Sequence, residues 1–125
     1  MILGVGLDVV ETERVARAMA AHGRRFEQRV YTPTELADCA ERGDRMQALA
    51  ARFAAKEALL KALGTGFAGG FSLMEIEVTR SDDGQTGLRL GARVAARAGE
   101  RGVRRVHLSI SHQPGLAAAV VVLEG

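Results

Sequence analysis

The chain is poor in aromatic residues and in cysteine, which excludes a core built from aromatic rings and a fold held by disulfides. Phe, Trp and Tyr together make up 4% of the 125 residues, with no tryptophan, so Ala, Val and Leu must fill the core. Cys39 is the one cysteine, which excludes a disulfide within the chain. No apolar run approaches the ~20 residues that cross a bilayer, and the first residues lack the layout of a signal peptide. We therefore expect a cytoplasmic protein with no membrane partner.

The rest of the composition is that of a globular protein. Hydrophobic residues account for 47% of the chain and charged residues for 26%, which is typical of a folded chain. A length of 125 residues is the usual size of one domain, so we predict a single domain over residues 1–125. The net charge of +2 is too small to indicate an anionic partner by itself.

The spacing of apolar residues predicts an α+β fold, in which helices pack on a small, mainly antiparallel sheet. Strands are predicted at 2–10, 73–80, 88–90, 106–111 and 116–123. Helices are predicted at 13–30, from Glu35, at 46–63 and at 91–102. Thr12 is predicted to cap the first helix and Gly64 to end the third, and Gly23 is a weak point within the first.

The first strand places an acidic residue on a face that carries glycines. One face holds Leu3, Val5, Leu7 and Val9, and the other holds Gly4, Gly6 and Asp8. Glycines there let a ligand or another backbone approach closely, and a carboxylate beside them suits a hard cation such as Mg²⁺. The alternative is a solvated aspartate at the end of a strand.

The helix at 46–63 carries an acid and a base near its end. Glu57 and Lys61 lie four residues apart and so are neighbours on one face. As an ordinary surface pair they would contribute only ~0.3–0.5 kcal/mol. The helix is apolar nearly all round, however, and a buried charge is costly unless it is paired or bound to a metal. Both interpretations stay open on these residues alone.

Three other features also allow more than one interpretation. His112, between a strand and a turn, is either a phosphate contact or acid–base group, or a hydrogen-bond partner of the turn. The glycine-rich loop at 64–71 can admit a phosphate near its backbone N–H groups, although it is not a P-loop. The helix at 13–30 has a basic stripe that is a solvated face, a DNA contact or a dock for an acidic protein helix. The stripe consists of Arg14, Arg17, Arg24 and Arg25.

Three motifs follow one another along the chain. They are Gly4-x-Gly6-x-Asp8 with Glu11 and Arg14, then RFAAKEA at 52–58 with Lys61-Ala62 and Gly64-Thr65-Gly66, then HLSISH at 107–112 with AAAV at 117–120. In this order they resemble the holo-[acyl-carrier-protein] synthase family, the short bacterial type of 4′-phosphopantetheinyl transferase. The resemblance covers essentially the whole chain, and its middle motif is the most specific.

The resemblance implies an enzyme and its site residues. Members of the family move the 4′-phosphopantetheine arm of coenzyme A to a serine of an apo-acyl carrier protein, with Mg²⁺, and release adenosine 3′,5′-bisphosphate. By resemblance, Asp8 and Glu57 bind the metal and, with Lys61, are the catalytic residues. Coenzyme A contacts are implied at Arg52, Lys61, Gly64, Thr65, Gly66 and His112. Lys56 points away from Glu57 and is given a supporting role only.

The resemblance also implies protein partners. The carrier protein is expected to dock on the first helix, at Arg14, Arg17, Arg24, Arg25 and Phe26. Family members are commonly homotrimers with coenzyme A between subunits, so His112 of one chain would meet Asp8 and Glu57 of a neighbour. The sequence departs from the family at Gly84-Gln85-Thr86, where relatives often have Gly-x-Pro, and at Gln113, where small hydroxyl residues or acids also occur.

A small basic nucleic-acid-binding α+β module is the competing interpretation. It accounts for the arginine stripe but not for Asp8, Glu57 and Lys61 in an apolar setting. The chain also lacks the aromatic platform on which single strands stack. We therefore expect no nucleic-acid partner.

Overall fold

A computed structural model describes the backbone of residues 1–125 and every side chain except those of residues 67 and 68. The helices are α1 (Thr12–His22), α2 (Arg24–Val30), α3 (Pro33–Cys39), α4 (Arg45–Leu63) and α5 (Ala92–Glu100), with 3₁₀ turns at Gly66–Gly69 and Leu73–Glu75. The strands are β1 (Ile2–Glu11), β2 (Ile76–Arg80), β3 (Thr86–Leu90), β4 (Arg105–Gln113) and β5 (Leu116–Glu124). All strand pairs are antiparallel, in a three-stranded sheet ordered β1-β5-β4 and a separate β2-β3 hairpin. The predicted α+β class is confirmed.

The first predicted helix is divided in two. The chain breaks at Gly23, whose φ of 53° and ψ of −129° favour glycine over residues with a Cβ. Thr12 is the first residue of α1, and Glu11 precedes it without a side-chain capping hydrogen bond, so the prediction of Thr12 as the cap is wrong. Its N–H instead donates to the carbonyl of Gly115, 3.0 Å away, which ties the start of α1 to the β4–β5 turn.

Helix α4 lies across the three-stranded sheet and is buried along almost all of its length. Two glycines of β1 make its close approach possible. A Cβ at Gly6 would lie 1.9 Å from the carbonyl oxygen of Ala58, and one at Gly4 would lie 2.2 Å from that of Ala62. The glycine face of β1 therefore receives the backbone of a helix. Among the described residues, no helix has both the length and the hydrophobicity to cross a bilayer.

The apolar face of β1 points away from α4 and is uncovered. Val5, Leu7 and Val9 are 60%, 59% and 54% exposed. Leu7 pairs with Val120 and Val5 with Val122 in β5, and paired residues of antiparallel strands share one face of a sheet. The outer face of the three-stranded sheet is thus an apolar surface, which we call the outer sheet face.

Lys56 and Glu35 form a fully buried ion pair between α4 and α3. Lys56 Nζ lies 2.6 Å from Glu35 Oε1 and also donates to the carbonyl of Val30, the last residue of α2. The Glu35 carboxylate accepts from the N–H groups of Thr32 at 2.8 Å and Val78 at 2.7 Å. Both charges are therefore compensated inside the core, and the pair joins α2, α3, α4 and β2.

Lys56→Met should destabilise the protein strongly, because it leaves the Glu35 charge buried without its partner. We expect the free energy of unfolding to fall by about 3–5 kcal/mol, as measured by chemical denaturation at pH 7. The matched control is Arg17→Met in the Arg17–Glu13 pair, whose side chains are 71% and 74% exposed, and the loss should be about 1 kcal/mol or less. Equal losses in the two variants would contradict the role given to the buried pair.

Candidate active site

Asp8, Glu57 and Lys61 meet where β1 crosses α4. Asp8 follows Gly6 by two residues and so lies on the same face of β1, against the helix. Lys61 Nζ donates to Asp8 Oδ1 at 2.9 Å and to the Leu7 carbonyl at 3.0 Å. These side chains line a cleft of about 260 Å³ together with Leu60 and Gly66. The structure thus brings the three predicted catalytic residues to one place, beside the glycine loop.

The two carboxyl groups of this cleft, which we call the carboxylate cleft, oppose one another electrostatically. Asp8 and Glu57 are 7% and 9% exposed. Burial, and then the neighbouring Asp8 carboxylate, raise the pKa of Glu57 from 4.5 to about 7, although the charges of Arg14 and Lys61 act in the other direction. The carboxyl of Glu57 therefore keeps its proton to a higher pH than an ordinary glutamate does.

The donor set of the carboxylate cleft fits a hard divalent cation. Asp8 Oδ2 is buried and has no hydrogen-bond partner among the described residues, so a lone pair is left for another ligand. In the part of the chain that the structure describes, no group of three or more acidic, histidine or cysteine side chains is arranged to hold a metal ion. Mg²⁺ needs none, because it is commonly held by one or two carboxylates, with water and substrate phosphates as its other ligands.

The loop after α4 forms one wall of the carboxylate cleft. Gly64 ends the helix in the left-handed conformation, with φ of 76° and ψ of 12°, as the sequence predicts. Gly66 also has a positive φ, of 50°. The Thr65 N–H donates to the Leu60 carbonyl at 3.1 Å, which holds the loop against the helix end. Of this loop, Gly66 lines the carboxylate cleft, and it places no side chain between its backbone and the carboxylates.

Arg52 and His112 lie together in a different cleft, the arginine cleft. It has a volume of about 230 Å³ and includes Arg42 and Arg80. Arg52 is 4% exposed, and its Nε has no hydrogen-bond partner among the described residues. The spacing of Arg52 and Glu57, five residues on α4, separates their side chains by about 140° around the helix. Within one chain, Arg52 and His112 therefore do not line the carboxylate cleft.

The arginine cleft contains groups that the sequence analysis missed. Arg42 precedes α4 and Arg80 ends β2, and neither falls in a motif, so only the fold brings them to Arg52. His112 is held by Gln47, whose Oε1 lies 3.0 Å from Nδ1. The turn that lacks the family's proline is nevertheless closed, since the Ser81 N–H donates to the Gln85 carbonyl at 2.9 Å.

The predicted docking residues occupy two helices, because the chain breaks at Gly23. All four arginines of the stripe are exposed. Phe26 is half-buried and stacks on Phe53, with 6.5 Å between ring centroids. Arg14 lies over the same Phe53 ring, 5.9 Å from its centroid. Arg29 and His22 border a shallow cleft with Arg25 and Phe26, and the sequence analysis named neither. The basic surface thus begins one helical turn from Glu57.

Glu57→Gln should stabilise the metal-free protein at alkaline pH. The folded chain raises the pKa of Glu57 from 4.5 to about 7, so the unfolded chain loses this proton first. The free energy of unfolding therefore falls as the pH rises through that window. Above pH 7 the full cost of burying the ionised Glu57 carboxylate is present, on the order of 1–3 kcal/mol. Glutamine carries no charge and so removes this cost. Denaturation curves at pH 8 with a chelator measure the gain.

The gain from Glu57→Gln should shrink as the pH is lowered towards about 5, because the folded protein then holds Glu57 protonated and no longer carries the cost of the buried charge. Glu13→Gln is the matched control, since the Glu13 side chain is 74% exposed, and it should have little effect at either pH. A Glu57→Gln protein no more stable than the wild type at pH 8 would show that the Glu57 charge carries no such cost.

Proteins of known structure share this architecture. Holo-[acyl-carrier-protein] synthase from Neisseria meningitidis superposes with a TM-score of 0.91 at 37% identity, over 100% of both chains. The synthase from Helicobacter pylori, solved in complex with coenzyme A, gives a TM-score of 0.83 at 28% identity, over 96% of this chain and 99% of its own.

Sequence comparisons lead to the same group of proteins. The holo-[acyl-carrier-protein] synthase of Koribacter versatilis is 44% identical over 124 residues, 99% of either chain. That of Anaeromyxobacter sp. (strain K) is 48% identical over 128 residues, 100% of this chain and 98% of its own. The model of the 4′-phosphopantetheinyl transferase superfamily matches residues 4–121. The predicted resemblance is confirmed, and the chain belongs to the holo-[acyl-carrier-protein] synthase family of the 4′-phosphopantetheinyl transferase superfamily.

Proposed function

We propose that this protein transfers the 4′-phosphopantetheine arm of coenzyme A to a serine of an apo-acyl carrier protein, in the cytoplasm and with Mg²⁺. Adenosine 3′,5′-bisphosphate is the other product, and residues 1–125 act as one catalytic domain. The observation that carries the proposal is the carboxylate cleft, where Asp8, Glu57 and Lys61 meet beside Gly66. Membership of the family supports it, as does the coenzyme A bound to the Helicobacter pylori protein.

The reaction requires negative charge on a pyrophosphate to be neutralised. The serine oxygen attacks the phosphorus that bears the pantetheine arm, a base takes the serine proton, and the P–O bond of the pyrophosphate bridge breaks towards the bisphosphate. Mg²⁺ held by Asp8 and Glu57 supplies charge neutralisation when it is bound. Lys61 is half exposed and 2.9 Å from Asp8 Oδ1, so it adds a cation that contacts the phosphates and stabilises the leaving group.

The arginine cleft suits the remaining phosphates of coenzyme A. Guanidinium groups bind phosphate oxygens in a bidentate manner and stay charged at all physiological pH values. We assign Arg52 and His112 to these contacts, and Arg42 and Arg80 line the same cleft. The pantetheine arm then lies along Gly64, Thr65 and Gly66, whose small side chains leave the backbone accessible to an extended ligand.

The separation of the two clefts supports a homotrimer with shared sites. Within one chain Arg52 and His112 line a different cleft from Asp8, so we infer that a neighbouring chain supplies one of the two clefts that a bound coenzyme A uses. The outer sheet face supports the same assembly, because Val5, Leu7 and Val9 are more than half exposed and burial of such apolar area is favourable.

The basic surface of α1 and α2 suits an acidic helix of the carrier protein. Complementary charge accelerates encounter and selects the partner. The docking residues are Arg14, Arg17, Arg24, Arg25 and Phe26. Arg14 lies over Phe53, one turn before Glu57 on α4, so a carrier docked on this surface can present its serine to the carboxylate cleft.

Intact-protein mass spectrometry tests the transfer directly. An apo-acyl carrier protein incubated with this protein, coenzyme A and Mg²⁺ should gain the mass of phosphopantetheine. The gain should disappear with a chelator and with Glu57→Ala, because the cation then loses its ligand. Glu100→Ala, at an exposed acid on α5, is the control and should retain full activity. Several folded carriers that all remain unmodified would refute the transferase.

Mixing two inactive variants tests the shared sites. Asp8→Ala and His112→Ala each damage one half of every site in a homotrimer. After unfolding and refolding together, mixed trimers should contain some sites with both residues intact, and activity should return to roughly a quarter of the wild-type value, as expected for random mixing of subunits. Each variant refolded alone is the control, and a mixture no more active than the controls would place both residues in one chain's site.

A further inference from the structure

The guanidinium of Arg101 lies next to the start of the glycine-rich loop and donates hydrogen bonds to the end of α4 and to β1. Its Nη1 donates to the carbonyl of Leu63, the last residue of α4, and its Nη2 donates to the Leu3 carbonyl at 3.3 Å. A Cβ placed on Gly64 would lie 3.7 Å from Nη1. Arg101 therefore lies next to the first residue of the loop, and it is not among the residues that line the carboxylate cleft.

The two carbonyls that Arg101 binds lie where regular hydrogen bonding ends. The last carbonyls of an α-helix have no partner within the helix, and a cation there also interacts favourably with the helix dipole. Leu3 lies where the pairing of β1 with β5 shifts register, between Ile2 and Gly4, and such a bulge interrupts the ladder. One side chain thus connects the bulge of β1 to the end of α4.

The hydrogen bonds of Arg101 affect the position of the glycine-rich loop, because this loop starts at the residue after Leu63. Gly64 and Gly66 both have positive φ, and residues with so little steric restriction do not hold a conformation by themselves. The Thr65 N–H is bonded to the Leu60 carbonyl on the helix side. Arg101 holds the carbonyl of Leu63, where the loop begins, and Gly66 lines the carboxylate cleft.

We propose that Arg101 is a positioning residue for the pantetheine arm, and this rests on the proposed function. It touches neither the phosphates nor the reacting atoms. By fixing Leu63 and Gly64 it keeps the backbone of the loop at the place where the arm lies. Its loss should weaken the binding of the arm and leave the binding of the adenosine bisphosphate half unchanged.

The test compares coenzyme A with adenosine 3′,5′-bisphosphate, which has the nucleotide phosphates but no arm. In Arg101→Ala, the KM for coenzyme A should rise about fivefold to tenfold, as expected for lost hydrogen bonds from a charged group. The inhibition constant of the bisphosphate should change by less than about twofold. Arg101→Lys should show a smaller rise, because an ammonium group can still bond one of the two carbonyls. Arg97→Ala, at an exposed arginine of α5, is the control and should match the wild type.

Several outcomes would overturn the positioning role. One is an Arg101→Ala protein in which the KM for coenzyme A and the inhibition constant of the bisphosphate are both unchanged. Another is an Arg101→Ala protein in which the two constants rise equally. If Arg101→Ala does not fold, Arg101→Lys decides, and equal changes in its two constants would overturn the role. A wild-type protein that neither binds coenzyme A nor modifies a carrier would refute the proposed function, and the role of Arg101 with it. If the wild type is active and the variants leave the ratio of the KM for coenzyme A to the inhibition constant of the bisphosphate unchanged, the role of Arg101 alone is refuted.

Discussion

The carboxylate cleft depends on the direct contact between the backbones of β1 and α4. Gly4 and Gly6 have no Cβ, so the helix carbonyls of Ala62 and Ala58 occupy the space that side chains would take. This contact brings Asp8 against Glu57 and Lys61, which lie far from it in the sequence. Any larger residue at Gly6 would have to push α4 outward, because the obstructing atom is backbone rather than a flexible side chain. The same contact turns the apolar side chains of β1 away from the core and onto the outer sheet face.

Two adjacent charged residues of α4 have opposite electrostatic environments, since Lys56 faces a carboxylate of opposite charge and Glu57 faces one of like charge. Lys56 is enclosed by Glu35 and backbone carbonyls, so its charge is compensated and holds the fold together. Glu57, the next residue, faces Asp8, a group of like charge, and its pKa is raised. A chain selected for stability alone would not keep two carboxyls so close. In the proposed function the two carboxyls, which Lys61 compensates only in part, are the place where a cation would bind, and the Lys56–Glu35 pair keeps the supporting elements in place around them.

The fold class and the acidic residues were predictable, because their signals are local or depend on motif spacing. Period-two alternation located the strands, and the four-residue spacing of Glu57 and Lys61 placed both on one helix face. The break at Gly23 was visible only as a weak point, since neighbouring residues decide whether a glycine continues a helix. Arg80 and Arg101 could not have been found, because their partners are distant in the chain. The exposure of Leu7 was also unpredictable, because alternation shows that two faces differ but not which face packs.

Anomalous diffraction from crystals grown with Mn²⁺ and coenzyme A tests the central claim most directly. Mn²⁺ is a hard cation that takes the same oxygen ligands as Mg²⁺ and can be located by its own scattering. We predict a manganese peak between the carboxylates of Asp8 and Glu57, in contact with the pyrophosphate of coenzyme A, with Arg52 and His112 of a neighbouring copy on the same molecule. A metal bound elsewhere, or coenzyme A bound away from both carboxylates, would contradict the account.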